Sequence, residues 1–245
     1  MKRFFLISTA LIAILFGQNA LAQFKPAPVL NEPDYDFERR LRFGFSLGIN
    51  FMDFQVKSST DPQVPFVGET TMFFVDNSKL IPGFNVNAIS DFRIIPTLHL
   101  RFLPGLAFGQ RDLSFYYPED NLRKTVKVES SFIEMPLSLK YSAVRKTNTR
   151  PYIIAGTNFR IDMAAYKKLD QAEDILLRLV KGDIYYEFGF GLDYFLTYFK
   201  FSTEIKFSSG FLNVFAKDYA DGAENYALAI GSLRSQLITI SFHFE

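Results

Sequence analysis

The chain has 245 residues, with 27 Lys+Arg against 26 Asp+Glu, two His, no Cys and no Trp. So even a charge balance argues against a nucleic-acid surface held by a basic face, the lack of Cys excludes disulfides and thiolate chemistry, and two His leave almost no scope for a multi-His metal site. Phe and Tyr number 29 and 12, yet no stretch beyond the N-terminus is apolar enough for a membrane helix, so the hydrophobicity is high but dispersed.

Lys2 and Arg3 precede an apolar run from Phe4 to Phe16, and Ala20-Leu21-Ala22 supplies a small-x-small cleavage pattern. The run is shorter than the ~20 residues a membrane span requires, so residues 1–22 are predicted to be a secretory signal cleaved before Gln23 rather than an anchor helix. Cleavage leaves no Cys at the new terminus for a lipid anchor. Residues 23–40 carry Pro26, Pro28, Asn31 and Pro33 and no periodicity, which predicts an extended tail.

From residue 41 to 245 the sequence alternates. Leu41, Phe43, Phe45, Leu47, Ile49 and Phe51 share one face of an extended segment, and Arg42, Gly44, Ser46, Gly48 and Asn50 share the other. That period of two describes a strand with one apolar and one polar face. It recurs at 184–194, at 199–208 and at 237–244, and less regularly at 84–92, 98–108, 133–141 and 153–161, giving eight strands. The connections alternate in length: long at 53–80, short at 93–96, longer at 113–125, short at 146–149, long at 164–182, short at 196–197 and long at 213–234. A soluble sandwich also alternates, but short turns on one side, long loops on the other, an even strand number and aromatic-rich outer faces describe an antiparallel eight-stranded outer-membrane β-barrel with both mature termini in the periplasm. Tyr141, Tyr152, Tyr194 and Tyr198, near strand ends, are placed in the interfacial girdle. Pro104 and Pro136, which lack an amide, are where the alternation is most open to a slip of one residue.

An eight-stranded barrel is just wide enough to be filled by side chains. The alternation turns Arg42, Arg101, Lys140, Arg160, Lys200 and Lys206 inward, together with Asp91, Glu134, Asp162, Glu187, Asp193 and Glu204. Six cations against six anions fit a polar plug of ion pairs better than an ion-selective path, which calls for an excess of one sign. A lipid-modifying enzyme needs His, Ser and a carboxylate together; Ser241 and His243 share the inward face but point into the crowded lumen, and His99 has no such neighbour in sequence. Asp218, Asp221 and Glu224 are acidic but lack the spacing of a calcium loop. No catalytic, cofactor or metal residue is assigned. In the third long loop, Leu169, Ala172, Ile175, Leu176, Leu179 and Val180 recur at three- and four-residue steps, which predicts a short amphipathic helix within residues 164–181 that packs on other loops, on the membrane or on a partner.

The segments FGFSLGINFMDF at 43–54, PGFNVN at 82–87, LRFLPGLAFGQR at 100–111, EMPLSLKY at 134–141 and FKFSTEIKFSSG at 199–210 resemble those of the PorT family of Bacteroidetes outer-membrane barrels. The EMPLSLKY element alone indicates only the broad barrel superfamily; the combination of LRFLPG with FSTEIKF is the more specific part. The resemblance implies a non-enzymatic component of the type IX secretion system, needed for export of cargo such as proteases and adhesins, with outer-membrane lipid and other secretion subunits as partners and no cofactor. A passive porin is the alternative function. A plugged lumen limits the first reading to an accessory or assembly role.

Overall fold

The computed structural model describes residues 28–59, 65–66, 69–70, 74–77, 80–116, 123–166, 177–219 and 230–245. The predicted signal sequence lies outside them. Eight long strands follow in chain order: β1 (Leu41–Ser58), β2 (Ile81–Ile95), β3 in two pieces (Leu98–Phe102 and Gly105–Tyr116), β4 (Arg123–Ser142), β5 (Thr149–Asp162), β6 (Gly182–Phe195), β7 (Lys200–Gly210) and β8 (Ile230–Phe244). Each pairs antiparallel with its neighbours in sequence. β1 also pairs with β8, placing Phe45 opposite Phe244 and Ile49 opposite Ile240, so the sheet closes on itself. Closure leaves the ring no free edge, which is what a sheet needs in hydrocarbon, where an unpaired amide or carbonyl finds no water.

The two proline sites do not shift the register. Leu103 and Pro104 interrupt β3, but Ala88 N donates to Pro104 O at 2.9 Å and Leu103 N donates to Pro136 O at 3.1 Å. The pairing of β3 with β2 and with β4 keeps the same register on both sides of the gap. Beside Pro136, the Met135 amide donates to Asn158 Oδ1 at 3.1 Å. The inward set therefore stays inward along the whole of β3 and β4.

The strands run further than the sequence suggested, because the alternation continues with its sense reversed. Up to Phe51, β1 points apolar side chains out; from Met52 onward it buries Met52 and Phe54 and turns Asp53, Gln55 and Lys57 away from the core. β8 does the same: Thr239, Ser241 and His243 are inward at the short-turn end, whereas Ile230, Leu233 and Leu237 are inward at the long-loop end, with Arg234 and Gln236 outward. In β3 and β4 the inward residues beyond that level include Leu113, Phe115 and Val126. The barrel thus has two storeys: one apolar outside and polar inside, and a second, beyond the membrane, that is polar outside and apolar inside like a soluble protein.

Three local readings are corrected. The predicted helix at 164–181 is not what its ends adopt: Ala164–Tyr166 is a single 3₁₀ turn and Leu177–Leu179 is a strand paired with Phe215–Tyr219. Leu177 and Leu179 satisfy a period of two as well as a helical step, and burial of Leu179 in the upper core decides between them, since an isolated short helix is marginal in water. Residues 167–176 lie outside the described residues, as do Asp221 and Glu224. The tail is not extended throughout, because Pro33–Glu38 forms a turn of π-helix. Tyr152 is inward and 3% exposed, not in the girdle. The sequence around it, Tyr152-Ile153-Ile154-Ala155, is apolar on both faces and carries no alternation to read; pairing with β6 sets Tyr152 opposite Gly191, where a Cβ would lie 2.4 Å from the tyrosine ring.

The two storeys predict a level-dependent response to charge. Ile49→Arg, on the lipid face, should destabilise the barrel by about 2–4 kcal/mol in urea unfolding from lipid vesicles. Gln55→Arg, six residues further along the same face, should change it by less than about 0.5 kcal/mol. Equal effects would show that the outer face has no such boundary.

Candidate functional site

All twelve charged residues assigned inward from the sequence are buried, and most of them meet in the lower lumen, with Asp162 at its upper boundary beside Arg111. Asp193 of β6 receives Lys140 Nζ of β4 at 2.7 Å, Arg150 Nε of β5 at 3.2 Å and Ser202 Oγ of β7 at 2.7 Å. The Lys140 ammonium also sits 3.8 Å from the centroid of the Tyr152 ring. Across the lumen, Arg101 of β3 reaches Glu204 of β7 at 3.3 Å and Glu245 at 2.8 Å, with Asp91 of β2 at 3.5 Å from its Nε. Glu204 is shared with the Tyr152 hydroxyl at 3.0 Å and His243 Nε2 at 3.3 Å. Deeper towards the long-loop end, Arg160 bridges Glu134 at 3.1 Å and Glu187 at 3.3 Å, and Lys206 holds the other Glu187 oxygen at 3.0 Å. Asn158 and Asn87 donate to Glu187 and Glu134 at 2.9 and 2.7 Å.

Several members of this network were missed in the sequence. Arg111 and Arg150 add two buried cations, and Asp183 and Glu245 two acidic side chains, so among the described residues eight of each sign are buried. Arg111 lies above the membrane-level network, 3.3 Å from Asp162 and bonded to the Ser130 and Ser235 hydroxyls, with its guanidinium over the Phe54 and Phe132 rings at 4.2 and 5.2 Å. Strand periodicity around Gln110-Arg111-Asp112 is entirely polar, which hid its direction. His99, which has no acidic neighbour in sequence, places Nδ1 2.6 Å from Asp91 Oδ1 across the β2–β3 hairpin. Ser241 makes no hydrogen bond to His243, and no hydroxyl among the described residues is bonded to either histidine. Among the described residues no group of three or more His, Asp or Glu is placed to hold a metal ion.

Both ends of this charged layer are covered. At the long-loop end lies the upper apolar core, in which Phe54, Leu113, Phe115, Val126, Ile230 and Leu233 pack with Val75, Leu179, Val214 and Phe215 from the connections. At the short-turn end the N-terminal segment crosses the ring. Leu30 N donates to Asn148 Oδ1 at 3.0 Å, Asn31 Nδ2 donates to the Leu196 and Thr197 carbonyls at 2.5 Å each, and the Tyr35 hydroxyl donates to the Glu245 carbonyl at 2.7 Å. The Tyr35 ring stands edge-on to Phe195, with centroids 5.5 Å apart. Nearly every contact is to a backbone group or a turn, so the segment's fit depends on the ring being closed first.

Residues 18–216 match the family described as the outer membrane protein beta-barrel domain. The chain belongs to that family. A solved structure, the outer membrane protein OprG from Pseudomonas aeruginosa, is similar at 14% identity over 82% of this chain and 92% of that one, with a TM-score of 0.42. No curated protein sequence matches. Family and strand ring together make this an outer-membrane barrel, and its lipid-facing belt includes Phe43, Phe45, Phe84, Tyr141, Phe188 and Phe190, all exposed.

The network predicts strong coupling around Asp193. Asp193→Asn strands Lys140 and Arg150 in a closed lumen and should cost about 3–5 kcal/mol in reversible unfolding, because a buried charge that loses its partner keeps its desolvation penalty. Adding Lys140→Met should recover part of that loss; a double variant no more stable than the single one would show that the two groups are not coupled.

Proposed function

We propose that the protein is a non-enzymatic accessory subunit of the type IX secretion system, which serves export of cargo such as proteases and adhesins by assembling, bracing or gating a separate translocon. The observation that carries the accessory role is the lumen: buried ion pairs fill it at membrane level, an apolar core covers one end and the N-terminal segment crosses the other. A ring of eight strands filled in this way has no bore for a folded cargo. The secretion assignment is supported by the PorT-like segments at 43–54, 100–111 and 199–210. The non-enzymatic reading is supported by both histidines being turned into the lumen against carboxylates, out of reach of a lipid substrate. In this reading the short turns and both mature termini face the periplasm, and the partners are outer-membrane lipid and other secretion subunits.

The test is a clean gene deletion complemented in trans, comparing surface and culture-fluid proteomes with uptake of a small hydrophilic antibiotic. Type IX cargo should accumulate inside the cell while uptake is unchanged, and the purified barrel should show no steady conductance in planar bilayers. Normal export with reduced uptake, or ohmic conductance, would replace this reading by a passive porin.

A further inference from the structure

Of the eight buried cations, seven lie within 4 Å of a carboxylate; Arg42 is the exception among the described residues. It is 7% exposed, and its Nε and Nη1 have no hydrogen-bond partner. Nη2 is occupied by backbone carbonyls of Tyr35 and Arg39, which fix the guanidinium in place. The nearest carboxylates face other cations and make no contact with it. Asp91 lies opposite Arg42 on β2 but is held by His99 at 2.6 Å, and Glu245 is held by Arg101 at 2.8 Å and Lys200 at 2.5 Å. A fixed, desolvated cation with no carboxylate in contact is costly, and an anion drawn to it meets preorganised donors.

Arg42 also lines a cavity of about 480 Å³ at the short-turn end. Arg39, Asp34 and Glu245 line it too, as do Leu41, Phe43 and Tyr198, which are 49%, 69% and 92% exposed on the outer face of the ring. Of its two acids, Glu245 is neutralised by Arg101 and Lys200, and Asp34 is exposed and makes no ion pair with Arg42. A ligand that reaches Arg42 with its charge therefore leaves the rest of its body against lipid-facing aromatic and aliphatic side chains. We propose that this cavity binds the phosphate of an anionic phospholipid from the leaflet at the short-turn end, with Arg42 and Arg39 as phosphate donors and the acyl chains running along Leu41 and Phe43. The site stands on the barrel alone and not on the secretion role.

Full-length protein, delipidated in detergent, is titrated with dioleoylphosphatidylglycerol and separately with dioleoylphosphatidylcholine, and read by native mass spectrometry. Phosphatidylglycerol should bind in preference, and Arg42→Gln should weaken it by about tenfold, the loss expected for one charge-assisted phosphate contact. Arg39→Gln, at an exposed position that leaves the fold intact, should weaken it severalfold and serves if the Arg42 variant does not fold. Affinity unchanged in either variant overturns the site. Arg42-dependent binding of inorganic phosphate by phosphorus NMR, without binding of phosphatidylglycerol, overturns the lipid as its occupant and assigns the shared phosphate chemistry to a free ion.

Discussion

The pleat of the β-strand governs everything else in this molecule. Successive side chains must point to opposite faces, so a strand that crosses from membrane to water cannot keep one face apolar for its whole length without exposing it. β1 resolves this by reversing its chemistry between Phe51 and Met52, and β8 does so near Leu237. Because all eight strands are closed in one ring, the reversals add up to two stacked interiors, charged below and hydrocarbon above. The boundary is filled by Met52, Ala107, Phe132, Tyr185 and Leu237, with Arg111 stacked on Phe54 and Phe132 where the two kinds of core meet.

The lower interior is an expensive way to fill a barrel. Each buried ion pays several kcal/mol of desolvation, and an apolar filling of equal volume is often no less stable. What the charges supply is register. A strand apolar on both faces can slip by one residue without penalty, whereas a slip here would turn Asp193 towards lipid and leave Lys140 and Arg150 unpaired. The bridges tie strands that are not neighbours in the ring, as Arg101 of β3 does with Glu204 of β7, so they fix the cross-section as well as the pairing. The long-range pairs also place the end of the chain, since Glu245 is held between Arg101 and Lys200 while its carbonyl receives the Tyr35 hydroxyl.

The strand ring and the twelve-residue charged set could be read from the sequence because hydrophobic period and lumen polarity speak together in β1, β6 and β7. Where the two disagree, the sequence was silent. The continuation of β1 through Met52, Phe54 and Val56 is as regular as its first half, but the reversed sense makes it resemble a polar loop until the upper core is seen. Tyr152 sits in a run with no polar partner to orient it, and Arg111 in one with no apolar partner. The Asp91–His99 contact and the solitary state of Arg42 depend on which residue faces which across the β1–β2 and β2–β3 hairpins, and loop length alone does not set that register to the residue. Leu177 and Leu179 satisfied two periods at once, and only a tertiary contact chose between them.

The surfaces around the filled lumen differ in kind. The membrane belt is mostly Phe, Leu and Ile, with Val and Tyr among them, and offers partners little beyond shape. The upper storey stands clear of the membrane and carries a soluble-type face that includes Gln55, Lys57, Lys127, Arg234 and Gln236, which can recognise a partner by charge and hydrogen bonds. At the opposite end the N-terminal segment rests on turns and carbonyls rather than on ion pairs, while Arg145 reaches the Leu30 carbonyl and stacks on Phe195 at 3.8 Å. Exchangeable backbone contacts of that sort cost less to release than the buried charge network beneath them. The short-turn end is therefore where a segment can leave the ring at the least cost, without disturbing the ion pairs that hold the strands together.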